Sequence, residues 1–192
     1  MKKIIFTTIL IFLVFSLSAC TNDQNTISEA NLTNRESEIL STTSDVSFVY
    51  DFNVESSYKQ LSVWVEKYEF GKLVGKKINH ITSEIKDDGT IIFATSKTLN
   101  NQNQSVFILG INGRESNRTI INDELEGVCT WRGPHIVNNP FKNNIVLASF
   151  ICYKNGNHMN SLTDDFYRDV NNHIKEIKDY KVVYLLRAKF TK

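Results

Sequence analysis

"YKQLSVWVEKYEF", Tyr58 to Phe70, decides the fold class. Leu61, Val63 and Val65 fall on one side of a two-residue repeat, with Tyr58, Trp64 and Tyr68 on the other. An extended strand sorts them in this way, whereas a helix scatters them around its axis. Upstream, "FVYDFNV" places Phe48, Tyr50, Phe52 and Val54 on one face. Downstream, a weaker alternation runs from Ile78 to Ile85 and meets Asp87-Asp88-Gly89, a hairpin signal. "TIIFATSK", "SVFILGIN" and "NNIVLASFICYK" are apolar on both faces and read as interior strands covered above and below. Gly71, Asn100 to Asn103, Asn112-Gly113 and Asn155-Gly156 lie between the runs as turns. Short strands with regular turn signals predict a mainly β protein, an antiparallel β-sandwich or a curved sheet.

"TDDFYRDVNNHIKEIKDY" departs from this period, with Phe166, Val170, Ile174 and Ile177 at helical spacing. Thr163 is the candidate N-cap, and Asp164 and Asp165 suit the positive end of the helix dipole. One late amphipathic helix packed on the sheet follows. "KVVYLLRAKF" then returns as a strand with Val182, Tyr184, Leu186, Ala188 and Phe190 on one face. Trp64 and Tyr68 are expected beneath that helix or a second sheet.

The first twenty residues have another logic. Lys2 and Lys3 precede a run from Ile4 to Ala19 without charge. At 1.5 Å per residue the run reaches roughly 24 Å, short of the ~30 Å that a spanning helix must cross. Leu17-Ser18-Ala19-Cys20 closes it, and the whole resembles the signal peptide of bacterial lipoproteins with its lipobox. The resemblance is confined to residues 1–20. It implies cleavage before Cys20 and a thioether-linked diacylglyceryl group on that sulfur, two acyl chains being what stable anchoring takes. No other cofactor is expected.

Residues 1–19 are thus read as the signal peptide, 20–45 as lipidated cysteine and flexible tether, and 46–192 as a single β-rich domain. The tether assignment rests on composition: residues 21–45 hold no aromatic side chain, and only Ile27, Leu32, Ile39 and Leu40 are large and apolar. A short helix over Ile27 to Leu40 is the alternative. The whole chain carries 22 Lys and Arg against 21 Asp and Glu. That balance argues against nucleic acid, which calls for a basic face.

The sequence offers few chemical groups in a recognisable pattern. His80, His135, His158 and His173 lie on separate segments, without zinc-ligand spacing. "GKLVGKK" lacks the glycine spacing and the hydroxyl residue of a P-loop. No catalytic or metal-binding residue is assigned. Cys129 and Cys152 are a candidate disulfide, permitted outside the cytoplasm, with buried thiols as the alternative. "CTWRGPHIVNNPF", residues 129–141, gathers Trp131, Arg132 and His135 with both prolines of the chain and is the candidate binding surface.

These readings favour a membrane-anchored extracytoplasmic lipoprotein, a non-enzymatic binding or interaction module at the cell envelope. Its partners would be the membrane, through the lipid anchor, and an envelope protein or glycan. A small envelope hydrolase whose site assembles only in three dimensions is the second class. A solute receptor is a weaker third, because that class is built from two α/β lobes.

Overall fold

The structure, a computed structural model, describes residues 25–98, 101–121, 128–133, 144–153 and 162–192. Among these residues ten strands form two five-stranded antiparallel sheets. The first sheet contains β1 (Thr26–Glu29), β2 (Val46–Asn53), β5 (Asp88–Thr98), β6 (Asn101–Ile111) and β7 (Glu115–Ile121), in the order β1-β2-β5-β6-β7. The second contains β3 (Gln60–Glu69), β4 (Lys72–Glu84), β8 (Val128–Arg132), β9 (Ile145–Tyr153) and β10 (Val182–Thr191), in the order β4-β3-β10-β9-β8. The β-rich sandwich expected from alternation is therefore present.

Facing side chains from the two sheets make the main core. Tyr50, Phe52 and Val54 meet Leu61, Val63 and Val65, and all five inward residues of β10, Val182, Tyr184, Leu186, Ala188 and Phe190, lie in the same cluster. Tyr184 is its aromatic hub, edge-on to Phe107 at 5.2 Å and stacked on Phe150 at 6.0 Å. Fully burying side chains of this size stabilises by about 1.5–3 kcal/mol each, before the entropy of ordering is charged. Tyr58 departs from its expected face. It precedes β3, where the alternation has not begun, and packs edge-on against Phe190 at 6.2 Å.

The outward face of the second sheet carries a smaller cluster. Tyr68, Val146, Ile151, Val183 and Leu185 are covered there by Leu162, Phe166, Val170 and Ile177. The covering segment is not one helix but three short pieces: α2 (Asp164–Arg168), α3 (Val170–His173) and a 3-10 turn (Ile174–Ile177). Thr163 caps α2 as expected, accepting from the Phe166 amide at 3.2 Å. The break falls at Asp169, which leaves helical geometry (φ −150°, ψ 83°) and uses its carboxylate to cap the next turn at Asn172. Short polar side chains such as Asp and Asn compete with helical bonds in this way. The apolar spacing survives because each piece still turns its buried residue to the sheet.

Four further expectations are corrected. Asp87-Asp88-Gly89 does not close a hairpin, since β4 and β5 belong to different sheets. Gly89 pairs with Phe52 at the start of β5, and a Cβ there would strike the Phe52 ring and the Asn112 side chain. The polar stretch marks a reversal, while close packing decides which strand it delivers. Asn101 to Asn103 belong to β6 rather than a turn. Asn155 and Gly156 lie outside the described residues. The outward side chains Ile92, Val106 and Ile108 of β5 and β6 are half-buried rather than covered; β9 carries the expected two-sided burial, and β10 and part of β3 share it.

The fourth correction concerns the expected tether. Thr26 to Glu29 pair with β2 as an edge strand, and Ile27 is 1% exposed within the main core. α1 (Asn34–Thr43) follows, closed by a capping box in which Thr33 and Glu36 exchange bonds of 3.3 and 2.8 Å. One buried isoleucine and a cap order a segment whose average composition did not call for order. Residues 20–24 lie outside the described residues.

Side-chain amides join the β4 edge of the second sheet to β6 and β7 of the first. Asn79 Nδ2 donates to the Phe107 carbonyl at 2.9 Å, and Asn117 Nδ2 donates to the His80 carbonyl at 3.0 Å. Each amide donates to a backbone carbonyl of the other sheet.

Gly89→Ala is expected to lower stability by about 1–3 kcal/mol without changing the strand content, as read by urea denaturation alongside far-UV circular dichroism.

Candidate functional site

Trp64, Glu66 and Tyr68 alternate with inward residues of β3, so their side chains share the outward face of the second sheet. Glu66 sits at the centre and is buried. Trp64 Nε1 donates to its Oε1 at 3.1 Å, and the Tyr68 hydroxyl donates to its Oε2 at 2.9 Å. Arg187, directly opposite Trp64 on β10, brings Nη1 to 3.8 Å from the same oxygen. The Arg187 Nε is buried and has no hydrogen-bond partner among the described residues. Burial, and then the neighbouring Glu66 charge, push the Tyr68 hydroxyl far above the ordinary phenol range. Tyr68 therefore remains a hydroxyl donor to Glu66.

The rim of this cluster is cationic and polar. Lys77 Nζ lies over the Trp64 ring, 5.3 Å from its centroid. His80 Nε2 is 3.2 Å from the Thr82 hydroxyl, which in turn is 2.8 Å from the Ser62 hydroxyl. Partial burial and the Lys77 charge lower the His80 pKa, so the ring is neutral at pH 7. Trp64 and Tyr68 are both buried, as expected, though under different covers: Tyr68 under the α2–α3 segment and Trp64 beneath the Lys77 ammonium.

The sequence-predicted binding surface divides. Cys129, Trp131 and Arg132 belong to β8, which pairs with β9 as far as Arg132. His135 lies outside the described residues, as do Pro134 and Pro140. Arg132 is exposed, and its charge reaches Tyr167 of α2. Ser149, fully buried opposite Arg132, shares a 2.8 Å hydrogen bond with the Tyr167 hydroxyl. Burial raises the Tyr167 pKa, with the Ser149 bond and the Arg132 charge opposing it. Arg132 thus joins a Ser149–Tyr167 pair that links β9 to the helical cover. Cys152 is disulfide-bonded, and Cys129 stands directly across from it in the β8–β9 register. Among the described residues no group of three His, Cys, Asp or Glu is placed to hold a metal ion.

Sequence reading missed Glu66, Arg187, Ser149 and Tyr167. The usable signal was Glu66, a carboxylate in a strand on the same face as Trp64 and Tyr68, whose polar tips are the natural partners for it. Arg187 gave a weaker signal as the lone cation between Leu186 and Ala188.

A family model, the YgaN domain, matches residues 26–190, from the first residue of β1 to the penultimate residue of β10. The chain belongs to the YgaN domain family. No curated protein and no solved structure matches it at a significant level. The YgaN domain takes in β1 and α1 and both core clusters, and its match ends before the last two residues of the chain.

Two outcomes follow for the YgaN domain. Glu66→Ala leaves Arg187 buried without its carboxylate and is expected to cost about 3 kcal/mol, whereas Glu66→Leu combined with Arg187→Met recovers most of the loss; urea titrations of the three proteins measure this. The second concerns Glu176, which accepts from the Thr163 amide at 3.0 Å, the Thr163 hydroxyl at 2.8 Å and His173 Nδ1 at 3.0 Å. Burial alone would raise its pKa, but these hydrogen bonds outweigh it and hold the carboxyl below its ordinary value of 4.5. A depressed carboxyl pKa contributes stability that is present above the unfolded value and is lost as pH falls through the folded one. Glu176→Gln should therefore cost about 1 kcal/mol at pH 7, and the gap to wild type should narrow below pH 4.5 in thermal melts across that range.

Proposed function

We propose that this YgaN-family chain is a lipid-anchored extracytoplasmic lipoprotein whose sandwich acts as a non-enzymatic binding module at the cell envelope. The observation that carries this reading is Leu17-Ser18-Ala19-Cys20 at the end of a basic, then apolar leader. Cleavage before Cys20 leaves five residues between it and Thr26, the first residue of β1. At about 3.5 Å per residue that link spans at most roughly 20 Å, so the domain is held close to the lipid headgroups rather than on a long tether. The diacylglyceryl group on Cys20 is the membrane attachment, and the partner beyond it is an envelope protein or glycan.

A disulfide at Cys152 supports the same compartment, because such bonds persist where the surroundings are oxidising. Cys129, opposite Cys152 across β8 and β9, is the bridge partner in this reading. The bridge fastens the edge strand β8 to the sheet. Within this module Arg132, with Trp131 and His135 next to it in sequence, remains the proposed contact surface for the envelope partner.

Cys20→Ala is expected to remain unprocessed and to lose the diacylglyceryl mass, whereas the wild-type chain partitions into the detergent phase with an acylated N-terminal cysteine. Intact-protein mass spectrometry of membrane fractions makes the comparison, and an unmodified sulfur on an intact wild-type leader overturns the proposal. Peptide mapping without reductant is expected to recover residues 129 and 152 in one linked species, and reduction to lower stability by about 3 kcal/mol.

A further inference from the structure

The turn between β3 and β4 is built from a residue that the backbone disfavours. Phe70 and Gly71 form a two-residue hairpin loop, both with positive φ, at 50° and 75°. Asn or Asp is usual at the first of these positions, because a bulky side chain in left-handed geometry is strained. Phe70 also fails to recover that strain by packing, being 62% exposed. Leu73 and Val74 follow at 46% and 54% exposed, so half of the exposed large apolar side chains among the described residues stand on this one turn. Strain retained together with exposure of apolar surface points to a use.

The surroundings indicate what kind. Lys72, Lys76 and Lys77 are exposed on β4, and Lys178 backs the turn, its Cα 3.2 Å from where a Gly71 Cβ would stand. The facing carboxylates are fewer: Glu69 is paired with Lys67 at 2.8 Å, Glu176 is engaged by Thr163 and His173, and Asp179 is exposed. A protruding tip of Phe, Leu and Val rimmed by lysines is the chemistry of a membrane interface, where apolar tips enter the acyl boundary and ammonium groups meet anionic headgroups. Protein interfaces instead deplete lysine and favour a flat or concave core. We propose that the β3–β4 hairpin docks on an anionic phospholipid surface through Phe70, Leu73 and Val74, with Lys72 and Lys76 on the headgroups.

This contact is separate from the acyl anchor. β1 begins beside Glu55, to which Asn25 donates a 2.7 Å hydrogen bond, at the end of the sandwich where β3 starts. The hairpin lies at the other end of β3, ten residues away, or about 30 Å. Both contacts reach one membrane when the sandwich is tilted so that the hairpin tip enters the surface and the link to Cys20 spans the remaining gap.

The test uses full-length protein processed in a bacterial host, with photoreactive p-benzoylphenylalanine in place of Val74, reconstituted with vesicles of phosphatidylcholine alone or with phosphatidylglycerol added. The expected result is a phospholipid adduct that depends on phosphatidylglycerol and falls by roughly tenfold with Phe70→Asn or with Lys72→Glu plus Lys76→Glu. Phe70→Asn is expected to keep or raise Tm, since it relieves the turn and removes no packing. A lipid adduct indifferent to phosphatidylglycerol and to these variants, an adduct with protein instead of lipid, or a fall in Tm with Phe70→Asn overturns the proposal. Failure of the acyl anchor shows separately, as loss of flotation with pure phosphatidylcholine vesicles while the phosphatidylglycerol-dependent adduct persists.

Discussion

β10 must be hidden on both of its faces, and much of the molecule is arranged around that requirement. Its inward residues, Val182 to Phe190 in alternation, need the opposing sheet, and its outward Val183 and Leu185 need a second cover. A strand that is apolar on both sides cannot sit at an edge or under solvent. β3 and β9 flank it, and β9 shares the two-sided burial. The α2–α3 segment is present because the second face of these strands would otherwise be wet. Where that cover ends, the face turns polar and Glu66, Arg187 and Trp64 take over.

The boundary between the covered and the uncovered part of this face explains the character of the Glu66 cluster. A carboxylate placed next to an apolar cluster must be supplied with donors, and the alternation of β3 supplies two from its own strand, Trp64 and Tyr68. Arg187 contributes charge from the neighbouring strand at the β10–β9 bulge, which lies between Leu186 and Arg187. The bulge shifts the register there and so alters how the guanidinium is presented. This arrangement lies next to the proposed lipid-facing hairpin and gives Lys77 an aromatic face to rest on.

The fold was legible in the sequence because burial here follows period two with few exceptions. Phe48 to Val54, Leu61 to Val65 and Val182 to Phe190 lie on the faces that their spacing assigns. The Thr163 cap was equally readable, since a hydroxyl before two aspartates has few other uses. Pairing was less legible. Asp87-Asp88-Gly89 announces a reversal in any topology, and it is the ladders with β2 and β6, with Gly89 packed closely on Phe52 and Asn112, that place β5 in the other sheet. The first strand was missed because composition averages over a segment, whereas order there depends on one side chain, Ile27. The Glu66 cluster was missed for a similar reason: its members are ordinary strand residues until register brings Arg187 alongside Trp64.

The two amides that join β4 to β6 and β7 have a mechanical consequence. A ladder distributes load over many bonds, but this flank closes through Asn79 and Asn117, and the Asn79 Oδ1 has no hydrogen-bond partner among the described residues. That seam therefore pins the two sheets to each other at one flank. Loss of either amide would loosen the coupling between the two sheets on this side while leaving the continuous β3-β10-β9 ladder untouched.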